Sequence, residues 1–335
     1  MFRIPNKNTL LLVLAFFSIY VFWGLTFLAV AYGLRGFPPF VLSGLRFVLA
    51  GLLLFSWRFL KGERSFSLRH WKRNAITGIL ILCGGSGLVA WGEQYVSATE
   101  AAIAIATGPF WFIVIDRQHW QRYFRSKAIV AGLLTGFAGL LLFLQGSMHN
   151  STAAGQGWLR ITAFAVLALS SVSWVLGSLY SRKHPAGHST FMNIAQQLIA
   201  AGLTGLLLAS IRGEWTQWPA THIPASAWAG LGFLVLFGSL ITYLAYIWLL
   251  SVKDPVSVST HTYINPVVAV LGGWVLTGES LAPAQGLGLL IILGGVLLTN
   301  SAKYTVSKRS KVRLRRLRQL FLRAIPMLHP VKPQY

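Results

Sequence analysis

Long apolar runs separated by short polar stretches dominate this chain. An α-helix needs roughly 20 apolar residues to cross about 30 Å of hydrocarbon. Runs of about that length lie near residues 9–32, 38–60, 75–95, 98–116, 127–146, 158–181, 189–211, 225–250, 255–278 and 283–302. The short spacers leave no room for a soluble domain between them. The pattern therefore predicts an all-α membrane protein with about ten transmembrane helices.

The two halves of the chain share a faint internal repeat. An offset of 151 residues, or slightly more, brings residues of one half onto similar residues of the other. The matched pairs are Trp23 with Trp174, Phe40 with Phe191, Arg46 with Gln197, Gly85-Ser86 with Gly238-Ser239, and Pro109 with Pro266. Since five helices is an odd number, the second unit must cross the membrane inverted relative to the first. We therefore predict two inverted five-helix repeats, at 9–146 (the first half) and 158–302 (the second half), followed by a basic tail at 303–335.

Pro109 and Pro266 occupy corresponding depths in the two predicted repeats. Each lies about eleven residues, or about 16 Å, from the membrane face at which its helix begins. A proline inside a helix removes one hydrogen bond and frees a carbonyl one turn earlier, which membrane helices tolerate only where protein or a cavity satisfies it. The pair predicts a midplane cavity between the repeats, where secondary transporters hold their substrates. The alternative is two kinked but solidly packed helices.

Composition and charge agree with a membrane protein and predict its orientation. Of the 335 residues 55% are hydrophobic and 11% charged, with a mean hydropathy of +0.61, which excludes an ordinary soluble domain. The net charge of +22 is confined to loops and the tail, so we expect no binding to nucleic acid. Alternate loops differ strongly in Lys and Arg, and basic loops stay in the cytoplasm. Both termini are therefore predicted to be cytoplasmic, with the first run retained rather than cleaved as a signal peptide.

Three ionisable side chains inside or beside the predicted helices are candidates for binding or coupling. Arg46 could meet a substrate carboxylate or phosphate as a planar fork, or it could form a structural ion pair or reach toward the interface. Glu93 and Glu100 flank a short turn, and either could carry a coupling proton. Carboxylates that simply remain solvated at the interface are the alternative for both.

Uncharged polar and aromatic residues complete the candidate substrate site. The candidates, besides Arg46 and Pro109, are Trp23, Trp174, Gln197, Tyr243, His261 and Asn265. Among them, His261 and Asn265 follow Ser257 at a spacing of four residues and form one polar stripe that ends beside Pro266. The alternative is that such groups only pack or hydrogen-bond between helices. Because the chain has no His-Glu-x-x-His motif and no acid cluster, we predict no catalytic residue, metal or cofactor.

Several short motifs give the chain a resemblance to the EamA-type permeases of the drug/metabolite transporter superfamily. They are Trp23-Gly24-Leu25-Thr26-Phe27, Leu45-Arg46-Phe47, Glu93-Gln94-Tyr95-Val96-Ser97-Ala98 before Gly108-Pro109, Ser173-Trp174 with Gly177-Ser178, and Tyr263-Ile264-Asn265-Pro266 before Gly278-Glu279. The resemblance implies ten helices in two inverted repeats, the bacterial inner membrane and transport of small metabolites. The chain departs from the family at Ala31, where many relatives carry a basic residue, so its substrate could differ from theirs.

We therefore expect a secondary permease, either an exporter or an exchanger, that moves small metabolites by alternating access and is not an enzyme. The alternative is a membrane-embedded enzyme or flippase acting on lipid-linked substrates, although the seven acids are scattered along the chain. The tail holds ten Lys or Arg residues and no acid, which favours a helix on anionic lipid over a disordered tail. A small-molecule substrate and membrane lipids are the expected partners, and a homodimer is left open.

Overall fold

The computed structural model describes residues 7–63, 67–117, 120–121, 126–149, 157–184, 186–187, 189–218, 222–252, 258, 261–277, 282–295 and 297–298. These residues form helices joined by short turns and contain no strand. The predictions for the tail at 303–335, for Ser257 and for the Gly278-Glu279 turn lie outside them.

The helices pack side by side and are numbered here in chain order. They are α1 (Leu10–Gly33), α2 (Pro39–Leu60), α3 (Leu68–Gly92), α4 (Ala98–Ile105), α5 (Gly108–Ile115), α6 (Lys127–His149), α7 (Gly157–Lys183), α8 (Thr190–Ile211), α9 (Glu214–Gln217), α10 (Ala225–Val252), α11 (His261–Thr277) and α12 (Pro283–Gly295). Six of them, namely α1, α2, α3, α7, α8 and α10, are long and apolar enough to cross a membrane. The other four predicted spans coincide with α4 and α5, α6, α11 and α12, whose described apolar stretches are shorter. The count of ten transmembrane helices stays a prediction.

The third predicted span begins earlier than the sequence indicated. Helix α3 starts at Leu68 rather than at residue 75, and the N–H groups of His70 and Trp71 bond to the Ser67 carbonyl at 3.0 Å each. The added turns are rich in Arg, Lys and His. Hydropathy finds only the part of a helix that lies in lipid, so the polar turns at its start were overlooked.

The fourth predicted span is not one kinked helix. Helices α4 and α5 are separated at Ala106 and Thr107, and Pro109 is the second residue of α5. At the start of a helix the missing proline N–H costs nothing, because the first N–H groups have no partner within the helix. The expectation of a mid-helix kink at Pro109 is therefore wrong, whereas Pro266 does lie inside α11.

Three of the long helices contain a π-helical segment, where the chain makes a wider turn. The segments are Ser18–Phe22 in α1, Ile79–Gly87 in α3 and Leu234–Ile241 in α10. A π segment interrupts the regular ladder of backbone hydrogen bonds, and such segments are frequent at functional sites.

Each π segment has a carbonyl that accepts a hydrogen bond from a side chain of the opposite half. The Asn265 amide, oriented so that its nitrogen donates, reaches the Ile19 and Tyr20 carbonyls at 2.9 and 3.0 Å. The other two bonds run from Ser173 Oγ to the Leu80 carbonyl at 2.8 Å and from Trp23 Nε1 to the Gly238 carbonyl at 3.2 Å. The π segments thus lie at the contact between the two halves, where side chains of the opposite half bind their carbonyls.

Helices α2 and α8 form a close antiparallel pair. A Cβ at Gly51 would lie 2.8 Å from the Ile199 backbone nitrogen, and a Cβ at Gly202 would lie 2.5 Å from the Val48 backbone nitrogen. Only glycine permits this approach, which lets the two backbones meet directly. Gly51 and Gly202 are themselves 151 residues apart, which is the offset of the predicted repeat.

A glutamate stands at each end of this pair and binds the start of the opposite helix. The Glu63 carboxylate, after α2, accepts from the Ser189 N–H at 3.0 Å and from the Ser189 hydroxyl at 2.7 Å. The Glu214 carboxylate, after α8, accepts from the N–H groups of Phe40 and Val41 at 3.0 and 3.1 Å. A negative charge at a helix N-terminus is favourable, because the first N–H groups point toward it. We call these two contacts the glutamate clamps.

The two clamps respond oppositely to pH. Burial acts to raise the pKa of the Glu63 carboxyl, but hydrogen bonds from Ser189 and Arg58 outweigh it and hold that pKa below its usual value. Burial raises the pKa of the Glu214 carboxyl above its usual value, against the opposing effect of the Val41 and Phe40 N–H groups. Glu63 therefore contributes stability that is lost as pH falls through its lowered pKa, whereas Glu214 contributes stability that is lost as pH rises through its raised pKa.

We expect Glu63→Gln to lower the unfolding temperature at neutral pH and to reduce its loss in acid. Glu214→Gln is expected to remove a gain in stability that the wild type shows as pH falls toward about 4.5. Thermal unfolding of the detergent-solubilised protein between roughly pH 4 and pH 8 measures both effects. If the two substitutions changed the pH dependence of the unfolding temperature in the same direction, the opposite pKa shifts assigned to Glu63 and Glu214 would be contradicted.

Candidate functional site

A cavity lies between the two halves, bordered by α1–α5, α7, α10 and α11. It contains about 1110 Å³ of space not occupied by protein atoms, part of it open to solvent. Its lining comes from both halves of the chain, so a solute in the cavity would contact both.

Aromatic side chains make one wall of this cavity. The Trp23 ring lies 5.4 Å from the Trp174 ring and 5.0 Å from the rings of both Tyr246 and His261, measured between centroids. Trp174 Nε1 donates to the Tyr246 hydroxyl at 3.3 Å. The predicted pair Trp23 and Trp174 therefore does meet at the cavity, each from a different half.

Arg46 brings a positive charge to the cavity. Its side chain is only 5% exposed, and its Nε donates to Ser239 Oγ at 3.0 Å across the two halves. The guanidinium also lies over the Phe47 ring, 4.6 Å from its centroid. Since one edge of the guanidinium is held by Ser239, its terminal nitrogens supply donors to the cavity.

The two candidate carboxylates differ in their surroundings. Glu93 lines the cavity, is 8% exposed and interacts electrostatically with Arg46. Glu100 instead forms a capping box with Ser97 at the start of α4, with hydrogen bonds of 2.9 and 3.2 Å. It also forms an ion pair with Arg160 at 2.5 Å, and neither residue is among those that line the cavity. Of the two, Glu93 is therefore the residue that borders the cavity, with both of its carboxylate oxygens buried.

Helix α11 contributes His261 and Asn265, the two described residues of the predicted polar stripe. Both line the cavity, at 6% and 8% exposure. A ring nitrogen of His261, Nδ1, bonds to the Val258 carbonyl at 2.8 Å, while the Asn265 amide holds the π segment of α1. Each therefore serves the packing of its helix as well as the lining of the cavity.

Gln197 and Tyr243 lie elsewhere, in a buried polar network. The Tyr243 hydroxyl donates to Gln197 Oε1 at 2.5 Å, and Gln197 Nε2 donates to Asn74 Oδ1 at 3.3 Å. Asn74 Nδ2 in turn donates to Gln196 at 2.7 Å and to Asn193 at 3.0 Å. None of these residues is among those that border the cavity. The network joins α3, α8 and α10 and matches the alternative of hydrogen bonding between helices.

Several cavity residues are absent from the sequence-based candidates. They bear hydroxyl groups and are Thr26, Ser86, Ser170, Ser171, Ser178 and Thr262. The signal for two of them was present, because Ser171 and Ser178 share a helical face with Trp174 at spacings of three and four residues. Serine and threonine are common in membrane helices, so type alone did not single them out.

A comparison with protein families decides what kind of protein has this cavity. The model of the EamA-like transporter family matches residues 10–145 and again 161–301. The chain belongs to the EamA-like transporter family. It is a membrane transporter, and the family resemblance seen in the sequence is confirmed.

Relatives of this EamA-like transporter agree with that assignment. The uncharacterized inner membrane transporter YedA of Escherichia coli K12 is 32% identical over 294 residues, covering 87% of this chain and 90% of its own. The uncharacterized transporter YoaV of Bacillus subtilis is 24% identical, covering 89% and 98%. An S-adenosylmethionine/S-adenosylhomocysteine transporter of Chlamydia trachomatis is 27% identical, covering 82% and 84%. The inner-membrane location expected from the sequence agrees with the first of these.

A solved structure supports the fold. A crystal structure described only as that of a protein superposes with a TM-score of 0.60 at 19% identity, and the match covers 87% of this chain and 96% of the other. At that identity the similarity concerns the fold alone. The EamA-like chain therefore shares its helical architecture with a protein that is distant in sequence.

Proposed function

We propose that this EamA-like transporter is a secondary permease whose substrate binds in the cavity between two inverted five-helix repeats, residues 9–146 and 158–302. We propose alternating access, because inverted repeats let the two halves open the site to opposite sides of the membrane in turn, and export or exchange as the direction of transport. The single observation that carries the proposal is the cavity itself, which is lined from both halves and contains an aromatic wall and the charged residues Arg46, Glu93 and Arg182.

The inversion is supported by contacts that repeat at the offset of 151 residues. Glu63 and Glu214, the two glutamate clamps, are 151 residues apart, and each binds the start of the helix equivalent to the one that precedes it. Helices α2 and α8, which they join, are antiparallel. A helix that is antiparallel to its own counterpart is expected of an inverted repeat and not of a direct one.

The charges of the cavity favour a zwitterionic substrate. Arg46 suits a carboxylate, Glu93 suits an ammonium or another cation, and the rings of Trp23, Trp174 and Tyr246 suit an apolar or planar group. S-adenosylmethionine and S-adenosylhomocysteine, which the Chlamydia relatives are named for, carry all three features. We therefore propose small amino-acid-like zwitterions as the substrate class.

Uptake into proteoliposomes tests this function. Purified protein would be reconstituted and offered labelled amino acids, S-adenosylmethionine and S-adenosylhomocysteine one at a time, with protein-free vesicles as the control. We expect saturable flux of at least one zwitterion and competition among similar ones. Product formation from lipid without solute flux would favour the alternative of a lipid-linked enzyme or flippase, and absence of both would reject the proposal.

Coupling to protons is proposed to run through Glu93. A carboxylate that binds either a proton or the cationic group of the substrate links the two by competition. Glu93→Gln is therefore expected to flatten the pH dependence of flux, which a pH series on proteoliposomes measures. Glu100→Gln is the matched control, because the contacts that it weakens, the capping box and the pair with Arg160, involve no residue of the cavity lining. If Glu100→Gln alone made the flux independent of pH, the choice of Glu93 as the coupling residue would be contradicted.

Orientation remains part of the proposal. We propose that the face carrying Lys61, Arg69, Lys72 and Arg182 is cytoplasmic, as the distribution of Lys and Arg predicts. Binding of the tail to anionic lipid and formation of a homodimer stay predictions. Accessibility of single cysteines introduced at residue 61 and at residue 212 to a membrane-impermeant maleimide would test the orientation.

A further inference from the structure

The dipeptide Gly238-Ser239 lies at the centre of the π segment of α10 and faces the first half. In a regular α-helix the Thr242 N–H would bond the Gly238 carbonyl, but here it bonds Phe237 instead. Trp23 Nε1 donates to the Gly238 carbonyl at 3.2 Å. The irregular turn thus provides an acceptor that a regular helix would have used internally.

The same dipeptide also fixes Arg46. Ser239 Oγ accepts from Arg46 Nε at 3.0 Å, and Ser239 is completely buried. A Cβ at Gly238 would lie 3.1 Å from the terminal Nη2 of Arg46 and 3.0 Å from the Thr26 methyl group. The bare glycine therefore leaves the space that the guanidinium occupies. Two neighbouring residues of the second half hold the cation and the indole of the first half.

The equivalent dipeptide, Gly85-Ser86, has a related but reduced arrangement. It lies in the π segment of α3, and a Cβ at Gly85 would lie 2.8 Å from Cε3 of Trp174, the counterpart of Trp23. The position equivalent to Arg46 is Gln197, which joins the buried polar network. Each Gly-Ser pair therefore contacts the tryptophan of the other half, while only Gly238-Ser239 also holds an arginine.

We propose that Gly238 and Ser239 are positioning residues that orient Arg46 and Trp23 for substrate binding, so that the anion-binding part of the site is assembled from both halves. The inference rests on the proposed function for its consequence in transport. The orientation of Arg46 by its hydrogen bond to Ser239 can be tested whatever the substrate is. An arginine with several rotatable bonds gains pre-organisation when one nitrogen is fixed, which improves binding of a carboxylate.

Two readouts on Ser239→Ala test the proposal. The first needs no substrate: in protein labelled with 15N-arginine, Arg46→Lys identifies the Arg46 Nε–H signal. That signal is expected to exchange slowly with water in the wild type and much faster in Ser239→Ala. The second is flux of the zwitterion that the wild type carries, with an expected rise in KM of about tenfold and little change in maximal rate, since a hydrogen bond to a charged group is lost.

Ser239→Thr keeps the hydroxyl and is expected to restore both the slow exchange and the KM. Ser251→Ala, in the same helix and with an exposed side chain outside the cavity lining, is the matched control. A lower maximal rate with unchanged KM would mean a merely structural role and would overturn the proposal, as would an unchanged Arg46 signal. If the wild type carries no zwitterion, the proposed function fails and the positioning of Arg46 is still decided by its signal.

Discussion

Substituting Arg46 by Gln is expected to lower the rate of transport at limiting substrate by about 100-fold. A glutamine has neither the charge nor the forked geometry with which a guanidinium binds a carboxylate, and a charge-assisted pair in a low-dielectric cavity is worth roughly 2–3 kcal/mol. The change also removes the charge that interacts with Glu93. Flux into proteoliposomes at substrate concentrations well below KM measures the effect.

Arg46→Lys separates charge from shape. It keeps one positive charge but supplies a compact ammonium in place of the fork, so we expect flux between those of the wild type and Arg46→Gln. Both variants should be compared at equal amounts of folded protein, checked by size-exclusion chromatography. Wild-type flux in folded Arg46→Gln would show that the anion is bound elsewhere.

The second large effect is expected for Gly78→Ala. A Cβ at Gly78 would overlap the Gln197 carbonyl oxygen and lie 2.7 Å from the carbonyl carbon. Because the obstacle is backbone rather than a flexible side chain, α3 and α8 must separate, which also strains the hydrogen bonds of Asn74. We expect a loss of about 3 kcal/mol or more, at the upper end of overpacking costs. Thermal unfolding and the yield of monodisperse protein measure it.

Gly232→Ala is the matched control for this change. Gly232 lies in the regular part of α10, and nothing lies within 4 Å of a Cβ built there. An alanine in a helix interior is favoured over glycine by roughly 0.5–1 kcal/mol, so this variant should be as stable as the wild type or slightly more so. Equal stability of Gly78→Ala and Gly232→Ala would contradict the contact between α3 and α8.

The sequence predicted the membrane-spanning runs well where a helix coincides with its apolar stretch. The bounds of α2 and α8 agree with the predicted runs to within one residue. Prediction failed where the helix and the apolar stretch differ, as at Leu68, where polar turns continue the helix. It also failed at Ala106 and Thr107, because a break between two short helices carries the same hydropathy as a kink.

The candidate site was predicted in part, because residue type does not fix direction. Tyr243 and Tyr246 are three residues apart on one helix, and only Tyr246 lines the cavity. The π segment in α10 shifts the helical phase between Ser239 and these tyrosines, so a face drawn with 3.6 residues per turn misplaces them. Glu100 could have been assigned correctly, since Ser97 and Glu100 form the Ser-x-x-Glu signature of a helix start.

The π segments of α1, α3 and α10 bear on the conformational change in the proposed transport cycle. A π-helical turn contains one residue more than an α-helical turn. If the extra residue moved one position along the helix, each residue that it passes would rotate by about 100° about the helix axis. Each π segment is held in place by a hydrogen bond from a side chain of the opposite half, namely Trp23, Ser173 or Asn265. In the proposed alternating-access cycle, tilting of one half against the other would therefore require these hydrogen bonds to break or the wide turn to move along its helix. A wide turn that moves rotates the side chains that it passes without unwinding the helix.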